Sequence, residues 1–320
     1  MQVYKFGGAS IKNAQAVINA SNIIKSTNDK VIVIVSAMGK TTNALEDIWR
    51  SFTADNCLNI DNKITDLYTY HSDIINELSL CNNQGLKKET TSIFDALNNL
   101  KNQQVNSDID FDYARIVSCG EILSSLILSH YLSEIDIDNS WLDTRKLIKT
   151  DSSYKEAKLD WNKTNELISQ KIKKTNSKVY VAQGFIGFTD LNQITTLGRE
   201  GSDFSASIFA WCVNATELTI WKDVAGVLNA DPKIFSDTVK LKNISYKEAI
   251  ELSFYGASVI HPKTIKPLHN KSIPLYVKSF INPDLDGTLI NNNSSNDEDF
   301  PCYIYNNKQI LISISPKDFS

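Results

Sequence analysis

Residues 30–35 read KVIVIV, an unbroken run of β-branched side chains after one lysine. Because no polar residue alternates with the apolar ones, a strand formed here must be buried on both faces. Such strands are typical of parallel sheets that helices cover on both sides. A second run of this kind, KVYVAQGF, follows at 178–185. The sequence therefore predicts an α/β fold with a mainly parallel central sheet.

Strands and helices alternate outward from the KVIVIV run along the chain. Residues 2–6 form a short predicted strand before it, and Ser10 is predicted to cap the intervening helix. Polar, helical signals without strand candidates fill about 43–104, which predicts a helical insertion on the sheet domain. Further strands are predicted at 135–142, 217–221 and 273–280, helices at 113–133, 160–174, 204–213 and 246–255, and a loop at 195–203.

Composition excludes several classes of protein. The chain has 320 residues, 42% hydrophobic and 22% charged, which suits two domains or one large α/β unit. A net charge of −4 argues against a nucleic-acid surface or a polybasic membrane patch. The apolar runs are too short to span a bilayer, and MQVYKFGG at 1–8 lacks a signal-peptide pattern. Five scattered cysteines without a CxxC pair predict a reduced, cytoplasmic protein without structural zinc.

A lysine and two glycines end the first predicted strand. Lys5 precedes Gly7 and Gly8, and a helix is expected to follow. Glycines let the backbone approach a phosphate, a helix N-terminus attracts anions, and a lysine would neutralise a transferring phosphoryl group. The spacing fits neither the Walker loop nor the dinucleotide motif. Phosphate binding and an ordinary strand–turn–helix connection both stay open.

Other polar segments stand at expected strand ends or helix starts. Residues 36–43 (SAMGKTTN) follow the KVIVIV strand, where hydroxyl side chains can hold a polar substrate or cap a helix. Glu121 falls in the first turn of a helix, where it is either a favourable terminal charge or a partner for an ammonium group.

Residues 198–203 (GREGSD) contain one of only four arginines, which could clamp a carboxylate. The alternative is a loop with an aspartate that caps the next helix. Residues 221–233 carry two aspartates and two lysines, and such residues are also common in ordinary turns. His261-Pro262 is interpreted as structural.

Taken in order, these segments resemble the catalytic domain of aspartate kinases (aspartokinases) in the amino-acid kinase family. The resemblance extends to about residue 289, and the ordered set is far more specific than any single motif. The matching segments are KFGGAS at 5–10, SAMGKTTN at 36–43, SCGE at 118–121, QGFIG at 183–187, TTLGREGSD at 195–203, WKDVAGVLNADPK at 221–233 and YGASVIHPKT at 255–264.

The resemblance implies the amino-acid kinase fold, a three-layer αβα sandwich around an eight-stranded sheet. It also implies transfer of the γ-phosphoryl group of ATP, with Mg²⁺, to the β-carboxylate of L-aspartate. The product would be 4-phospho-L-aspartate, a precursor of lysine, threonine and methionine. Residues 1–290 would form the catalytic domain, with an aspartate-binding part at about 1–200 and a nucleotide-binding part at about 201–290.

Site residues are implied position by position. Lys5 would neutralise the transferring phosphoryl group, and Asp203 would position lysine and magnesium-bound groups. Arg199 would clamp the α-carboxylate of aspartate, and Glu121 would bind its ammonium group. The other implied aspartate contacts are Ser36, Thr42, Phe185 and Ser202. The implied nucleotide contacts are Lys5, Gly7, Gly8, Ser10, Lys222, Asp223, Leu228, Asp231, Lys233 and Ser258.

Five positions depart from the family pattern. Ala9 stands where a threonine is usual, and Glu200 where a glycine is usual. Lys222 replaces a small hydroxyl residue, Leu228 an aromatic residue, and Ser258 a lysine of the expected ATP site. Since none of these is a residue implied for phosphoryl transfer or for the aspartate clamp, activity is expected.

Two alternatives to aspartate phosphorylation stay open. One is a kinase of the same family acting on acetylglutamate, glutamate, carbamate or UMP. Among these substrates Glu121 disfavours the N-acetylated and the non-amino ones, because it suits a free amino group. The other is a non-catalytic nucleotide-binding subunit, which the residues at Leu228 and Ser258 support. The protein is expected to form a homo-oligomer, in the form of a dimer.

The last thirty residues carry a separate expectation. Residues 291–299 (NNNSSNDED) read as a polar linker, and 303–314 resembles the first strand of an ACT-type regulatory domain, truncated within 291–320. A chain of this extent is expected to be insensitive to lysine and threonine. It is also expected to self-associate through the apolar face of Ile310, Ile312 and Ile314.

Overall fold

The computed structural model describes residues 1–54, 60–256, 260–293 and 301–305. Its strands are β1 (Gln2–Phe6), β2 (Val31–Val35), β3 (Asn139–Leu142), β4 (Val179–Gln183), β5 (Ile186–Phe188), β6 (Ile194–Thr196), β7 (Leu218–Lys222), β8 (Asn243–Ser245), β9 (Leu275–Ser279) and β10 (Thr288–Asn291). Its α-helices are α1 (Ala14–Ser26), α2 (Thr41–Thr53), α3 (Ile60–Glu77), α4 (Gln84–Asn98), α5 (Ile109–Val117), α6 (Cys119–Glu134), α7 (Trp161–Thr175), α8 (Gly201–Cys212), α9 (Tyr246–Phe254) and α10 (Pro262–Lys271).

Eight strands form one sheet in the order β3-β4-β2-β1-β7-β9-β10-β8. Neighbouring strands run parallel except for the β9–β10 pair. β1 lies between β2 and β7, with Val3 opposite both Ile32 and Leu218. The predicted eight-stranded, mainly parallel sheet is confirmed. Its order brings the carboxyl ends of β1, β2, β4 and β7 to one edge, where ligands bind in open α/β sheets.

Helices cover both faces of the sheet at β2, as the KVIVIV run predicts. Ile32 and Ile34 pack into a core with α8 residues such as Phe209. The valines of β2 face the other side, in a core with α1 and α6 residues such as Leu128. Every residue of β2 is fully buried. Each such side chain contributes about 1.5–3 kcal/mol through burial, so β2 anchors both layers.

The predicted helical insertion is also confirmed. Described residues between 43 and 104 form α2, α3 and α4 and contain no strand. These helices share a third core with α5 and α6, built around Leu45, Ile64 and Phe94. The insertion packs on the sheet domain through α5 and α6, and its residues Ile74 and Leu86 also reach the core that contains α1.

One helical stretch in the described ranges, Ile109–Glu134, is long and apolar enough to cross a membrane. Its most apolar window is 72% buried inside the protein. The stretch comprises α5 and α6, which pack against the insertion and the sheet. It is therefore a core element of the fold.

Three predicted boundaries are wrong for local reasons. Ser10 is not a helix cap, because residues 8–11 form a 3₁₀ turn and Asn13 caps α1 by accepting a hydrogen bond from Ala16 N–H. The predicted strand at 135–142 begins only at 139, because Asp136 adopts a left-handed conformation (φ 58°) just after α6. The predicted loop at 195–203 contains β6, which pairs with β5, and the start of α8 at Gly201.

Candidate active site

A cleft of about 330 Å³ opens at the carboxyl ends of β1, β2 and β4, beside the first turns of α6 and α8. It contains all eight residues implied for phosphoryl transfer and aspartate binding. The lining residues are Lys5, Ser36, Thr42, Tyr113, Glu121, Lys155, Glu156, Phe185, Gly198, Arg199, Glu200, Gly201, Ser202 and Asp203. The structure thus brings together residues from seven separate sequence segments.

A buried ion pair forms the floor of the cleft. Lys5 Nζ lies 2.6 Å from Asp203 Oδ1, and the two side chains are only 10% and 2% exposed. Burial alone would raise the pKa of Asp203, but the charges of Lys5 and Lys222 outweigh it and lower that pKa. Asp203 is therefore ionised at neutral pH. Its Oδ2 is buried and accepts no hydrogen bond within the described ranges.

Glu121 is a second buried carboxyl group in the cleft. It stands in the first turn of α6, and its Oε1 accepts a hydrogen bond from Ala37 N–H at 3.3 Å. Burial raises its pKa to about 8, although the Ala37 hydrogen bond and the charge of Lys5 oppose this. Among the described residues, no donor contacts its Oε2. A buried carboxylate without a cation is costly, so this position favours a ligand that brings a positive charge.

The loop that carries Arg199 is held in an unusual backbone conformation. Gly198 (φ 74°) and Glu200 (φ 55°) are both left-handed, which is easy for glycine and unfavourable for glutamate. This conformation suits the glycine that the resemblance implies at 200. Arg199 itself is exposed and forms no ion pair within the part of the chain that the structure describes. Its guanidinium is therefore available to an anion at the cleft mouth.

Glu200 adds a third carboxyl group near the floor. The residue as a whole is exposed, but its carboxyl end is partly desolvated beside Asp203. This desolvation and the charge of Asp203 raise the pKa of Glu200, while Lys222 and Lys5 oppose the shift. Glutamate at position 200 thus adds a carboxyl group beside the Lys5–Asp203 ion pair.

Two glycines allow α8 to approach the end of β4. A Cβ on Gly184 would lie 2.5 Å from Ser202 Cβ, and one on Gly201 would lie 2.6 Å from the Phe185 ring. Phe185 is itself left-handed (φ 70°). The close approach brings Ser202 and Phe185 to the cleft wall.

The glycine turn after β1 has mixed roles. A Cβ on Gly8 would lie 2.7 Å from Ala37 O, so Gly8 is required for the packing of two adjacent loops. Gly7 has open space apart from Lys5 Nζ, which a Cβ would meet at 3.5 Å. The Ser10 hydroxyl is buried and donates to Trp221 O at 3.2 Å. Ser10 thus joins the turn to β7, and its predicted contact with a phosphate oxygen competes with this bond.

The residues predicted to bind nucleotide lie mostly outside the cleft. Lys222 ends β7 close enough for its charge to act on Asp203. Asp223, Asp231 and Lys233 are exposed on the turn formed by residues 223–240, where Lys233 N–H donates to Asp231 Oδ1 at 2.9 Å. Leu228 is half-buried and forms an isolated bridge with Lys240. Ser258 lies outside the described residues.

Sequence reasoning missed three residues that line the cleft, Tyr113, Lys155 and Glu156. Lys155 Nζ lies 4.7 Å from the centre of the Tyr113 ring, in a cation–π contact. Tyr113 in turn donates its hydroxyl to Glu46 Oε1 at 2.9 Å. In the sequence Lys155 is one lysine of a polar loop, and only the tertiary fold turns it towards the cleft.

Comparison with known proteins gives a consistent result. The amino acid kinase family profile matches residues 1–279. The chain is 30% identical to the lysine-sensitive aspartokinase 3 of Escherichia coli, over 98% of this chain and 69% of that protein. It is 32% identical to the chloroplastic bifunctional aspartokinase/homoserine dehydrogenase 2 of Arabidopsis thaliana, covering 90% of this chain and 32% of that protein. The chain thus spans about a third of the bifunctional relatives.

A solved structure shows the same fold. E. coli aspartokinase III in complex with aspartate and ADP matches with a TM-score of 0.80 and 29% identity. The match covers 92% of this chain and 65% of that one.

Proposed function

This chain belongs to the amino acid kinase family, and we propose that it uses ATP to phosphorylate the β-carboxylate of L-aspartate. The product is 4-phospho-L-aspartate. The observation that carries the proposal is a cleft that joins the Lys5–Asp203 ion pair to Glu121 Oε2, an oxygen with no hydrogen-bond partner among the described residues. The ion pair suits the carboxylate that accepts the phosphoryl group, and the Glu121 oxygen suits the amino group. The resemblance to aspartokinases, one of them solved with aspartate and ADP, supports the assignment.

The chemistry needs no general base. A substrate carboxylate is already ionised at pH 7 and can attack a phosphoryl group directly. Catalysis then consists of alignment and of neutralising charge on the transferring group. Lys5 supplies the positive charge at the floor of the cleft, and Asp203 fixes its Nζ. None of the described residues that line the cleft is a histidine or a cysteine, which agrees with this reaction class.

Substrate recognition uses the opposite charges at the cleft walls. Glu121 ionises when it pairs with the aspartate ammonium group, and Arg199 binds the α-carboxylate. Ser36, Thr42 and Ser202 contribute hydroxyl groups, and Phe185 closes one wall. An N-acetylated or non-amino substrate would leave Glu121 without a cation, so both are disfavoured.

ATP is the proposed phosphoryl donor. Its phosphates would contact the backbone at Gly7 and Gly8 and the Lys222 side chain. Ser10 would also contact them if its hydroxyl leaves Trp221 O. The rest of the nucleotide would lie along Asp223, Leu228, Asp231 and Lys233, and Ser258 stays a predicted nucleotide contact. In the part of the chain that the structure describes, no donor reaches the buried Asp203 Oδ2. This oxygen fits a group of a magnesium–nucleotide complex, since Mg²⁺ is usually held by one or two carboxylates, water and phosphates. When bound, Mg²⁺ supplies further neutralisation of the phosphate charge. A homo-oligomer and a cytoplasmic location stay predictions.

A hydroxylamine trap tests the proposal, because an acyl phosphate reacts with hydroxylamine to give a coloured hydroxamate. The chain is incubated with Mg-ATP and aspartate, N-acetylglutamate, glutamate or succinate in turn. We expect hydroxamate with aspartate and little with the others. Trapping with N-acetylglutamate alone, or ATP binding without trapping for any substrate, would refute the assignment.

A further inference from the structure

The motif YGASVIHPKT includes a lysine for which the proposed reaction provides no role. His261 caps α10 by accepting a hydrogen bond at Nδ1 from Lys263 N–H at 3.1 Å, and Pro262 occupies the first turn. This puts Lys263 in the first turn of a helix, where the helix dipole disfavours a cation. A lysine at this position therefore calls for a tertiary interaction that compensates.

The Lys263 side chain reaches the loop that bears Arg199. Its Nζ passes 4.8 Å from the centre of the Phe204 ring on α8 and donates to Leu197 O at 2.8 Å. Within the described ranges this is the one donor to that carbonyl. Burial lowers the pKa of Lys263, and the charge of Glu156 opposes this. The Lys263 residue is half-buried.

Leu197 is the last residue before the loop that the surrounding structure holds firmly. Its side chain is fully buried and its N–H donates to Phe185 O at 2.8 Å. The next three residues include two in the left-handed conformation, at Gly198 and Glu200, and then α8 begins. A backbone held this way needs support from its surroundings, and the Leu197 carbonyl is where α10 provides it.

We propose that Lys263 is a positioning residue that holds the 197–201 loop so that Arg199 faces the substrate carboxylate. The proposal rests on the proposed function for the identity of that substrate. Lys263 lines no part of the cleft and acts through Leu197 O, so it touches no reacting group.

Three variants test this role. Lys263→Met removes the donor and keeps most of the stem, Lys263→Arg keeps a cationic donor, and Lys266→Met is the matched control on the exposed side of α10. In Lys263→Met we expect the KM for aspartate to rise about tenfold, the KM for ATP to change less than twofold, and kcat to stay within threefold. Lys263→Arg should recover most of the loss, and the control should resemble wild type.

Hydrogen exchange gives a readout that needs no turnover. Backbone amides of residues 198–201 should exchange at least tenfold faster in Lys263→Met than in wild type, and near the wild-type rate in Lys263→Arg. Unchanged exchange in this loop, or equal rises in both KM values, would overturn the positioning role. If wild type forms no product from aspartate, the proposed function fails, and the exchange data alone decide the role of Lys263.

Discussion

The floor of the cleft and the 223–240 turn are both assigned to ATP-dependent chemistry, yet they are built differently. Lys5 and Asp203 are buried, directly paired and supplied by regular elements, a strand and a helix. Asp223, Asp231 and Lys233 are exposed on a long turn, where the Asp231 carboxylate accepts a hydrogen bond from Lys233 N–H. Charges in a low-dielectric site interact strongly, whereas exposed charges are screened. The two regions should therefore differ sharply in their sensitivity to single substitutions.

The largest effect is expected at the floor. Lys5→Met keeps the volume of the stem and deletes the charge, so turnover should fall by about 10²–10³-fold. The aspartate KM should change much less. Initial rates of hydroxamate formation measure this, with the exposed Lys12→Met as control.

The same substitution removes the direct ionic partner of the buried Asp203, which is destabilising. Thermal unfolding must therefore show that the variant is folded at the assay temperature. A folded Lys5→Met protein with near-wild-type turnover would disprove the role of Lys5 in phosphoryl transfer.

The second effect is a pH dependence at Glu121. Because its pKa is raised to about 8, the carboxyl group loses its charge as the pH falls below 8. The aspartate KM should then increase, approaching about tenfold per pH unit between pH 7 and 6. Glu121→Gln should show a high and nearly pH-independent KM.

The exposed Glu134→Gln, at the other end of α6, is the matched control and should keep the wild-type profile. The KM for ATP should be unaffected in both variants. A flat wild-type profile would mean that Glu121 is not the partner of the ammonium group.

On the 223–240 turn we expect a much smaller effect. Lys233→Ala should raise the KM for ATP by no more than about fivefold, because exposed ion pairs contribute about 0–1 kcal/mol. The aspartate KM should not change. A loss of a hundredfold or more would show that the turn closes over the nucleotide and buries Lys233.

The smallest effect concerns Glu200, which lies between the two regions. Asparagine tolerates the left-handed conformation better than glutamate and carries no charge. Glu200→Asn should therefore increase the free energy of unfolding by about 1 kcal/mol or less, as measured by urea denaturation. A decrease would mean that the Glu200 carboxylate is a net stabilising partner of Lys222 or Lys5.

Features that depend on local residue patterns could be predicted from the sequence, and features that depend on the surroundings of a residue could not. Burial on both faces follows from β-branched residues alone, so β2 and the parallel sheet were predictable. The segments that line the cleft are recognisable because a family resemblance orders them along the chain. By contrast, the buried state of Glu121 has no local signature, since an acidic residue in a first helical turn is favourable in any protein.

Contacts between distant segments account for the rest. Lys155 and Lys263 look like solvated lysines in the sequence, and their partners lie on other elements. The true start of α8 was missed because glycine at 201 usually signals a loop, while here it permits close packing on Phe185. Ser10 failed as a cap because its hydroxyl bonds to a strand more than two hundred residues away.

The central place of β1 has a consequence for the order in which the protein is assembled. β1 pairs with β2 nearby in the chain, but its other neighbour, β7, and its ionic partner on α8 come roughly two hundred residues later. At typical rates of synthesis this is a delay on the order of 10–40 s, during which one edge of β1 has no strand beside it. The ribosome must therefore release β7 and α8 before the phosphoryl-transfer end of the cleft can exist. Translation speed through residues 36–222 sets how long the nascent chain exposes that open edge.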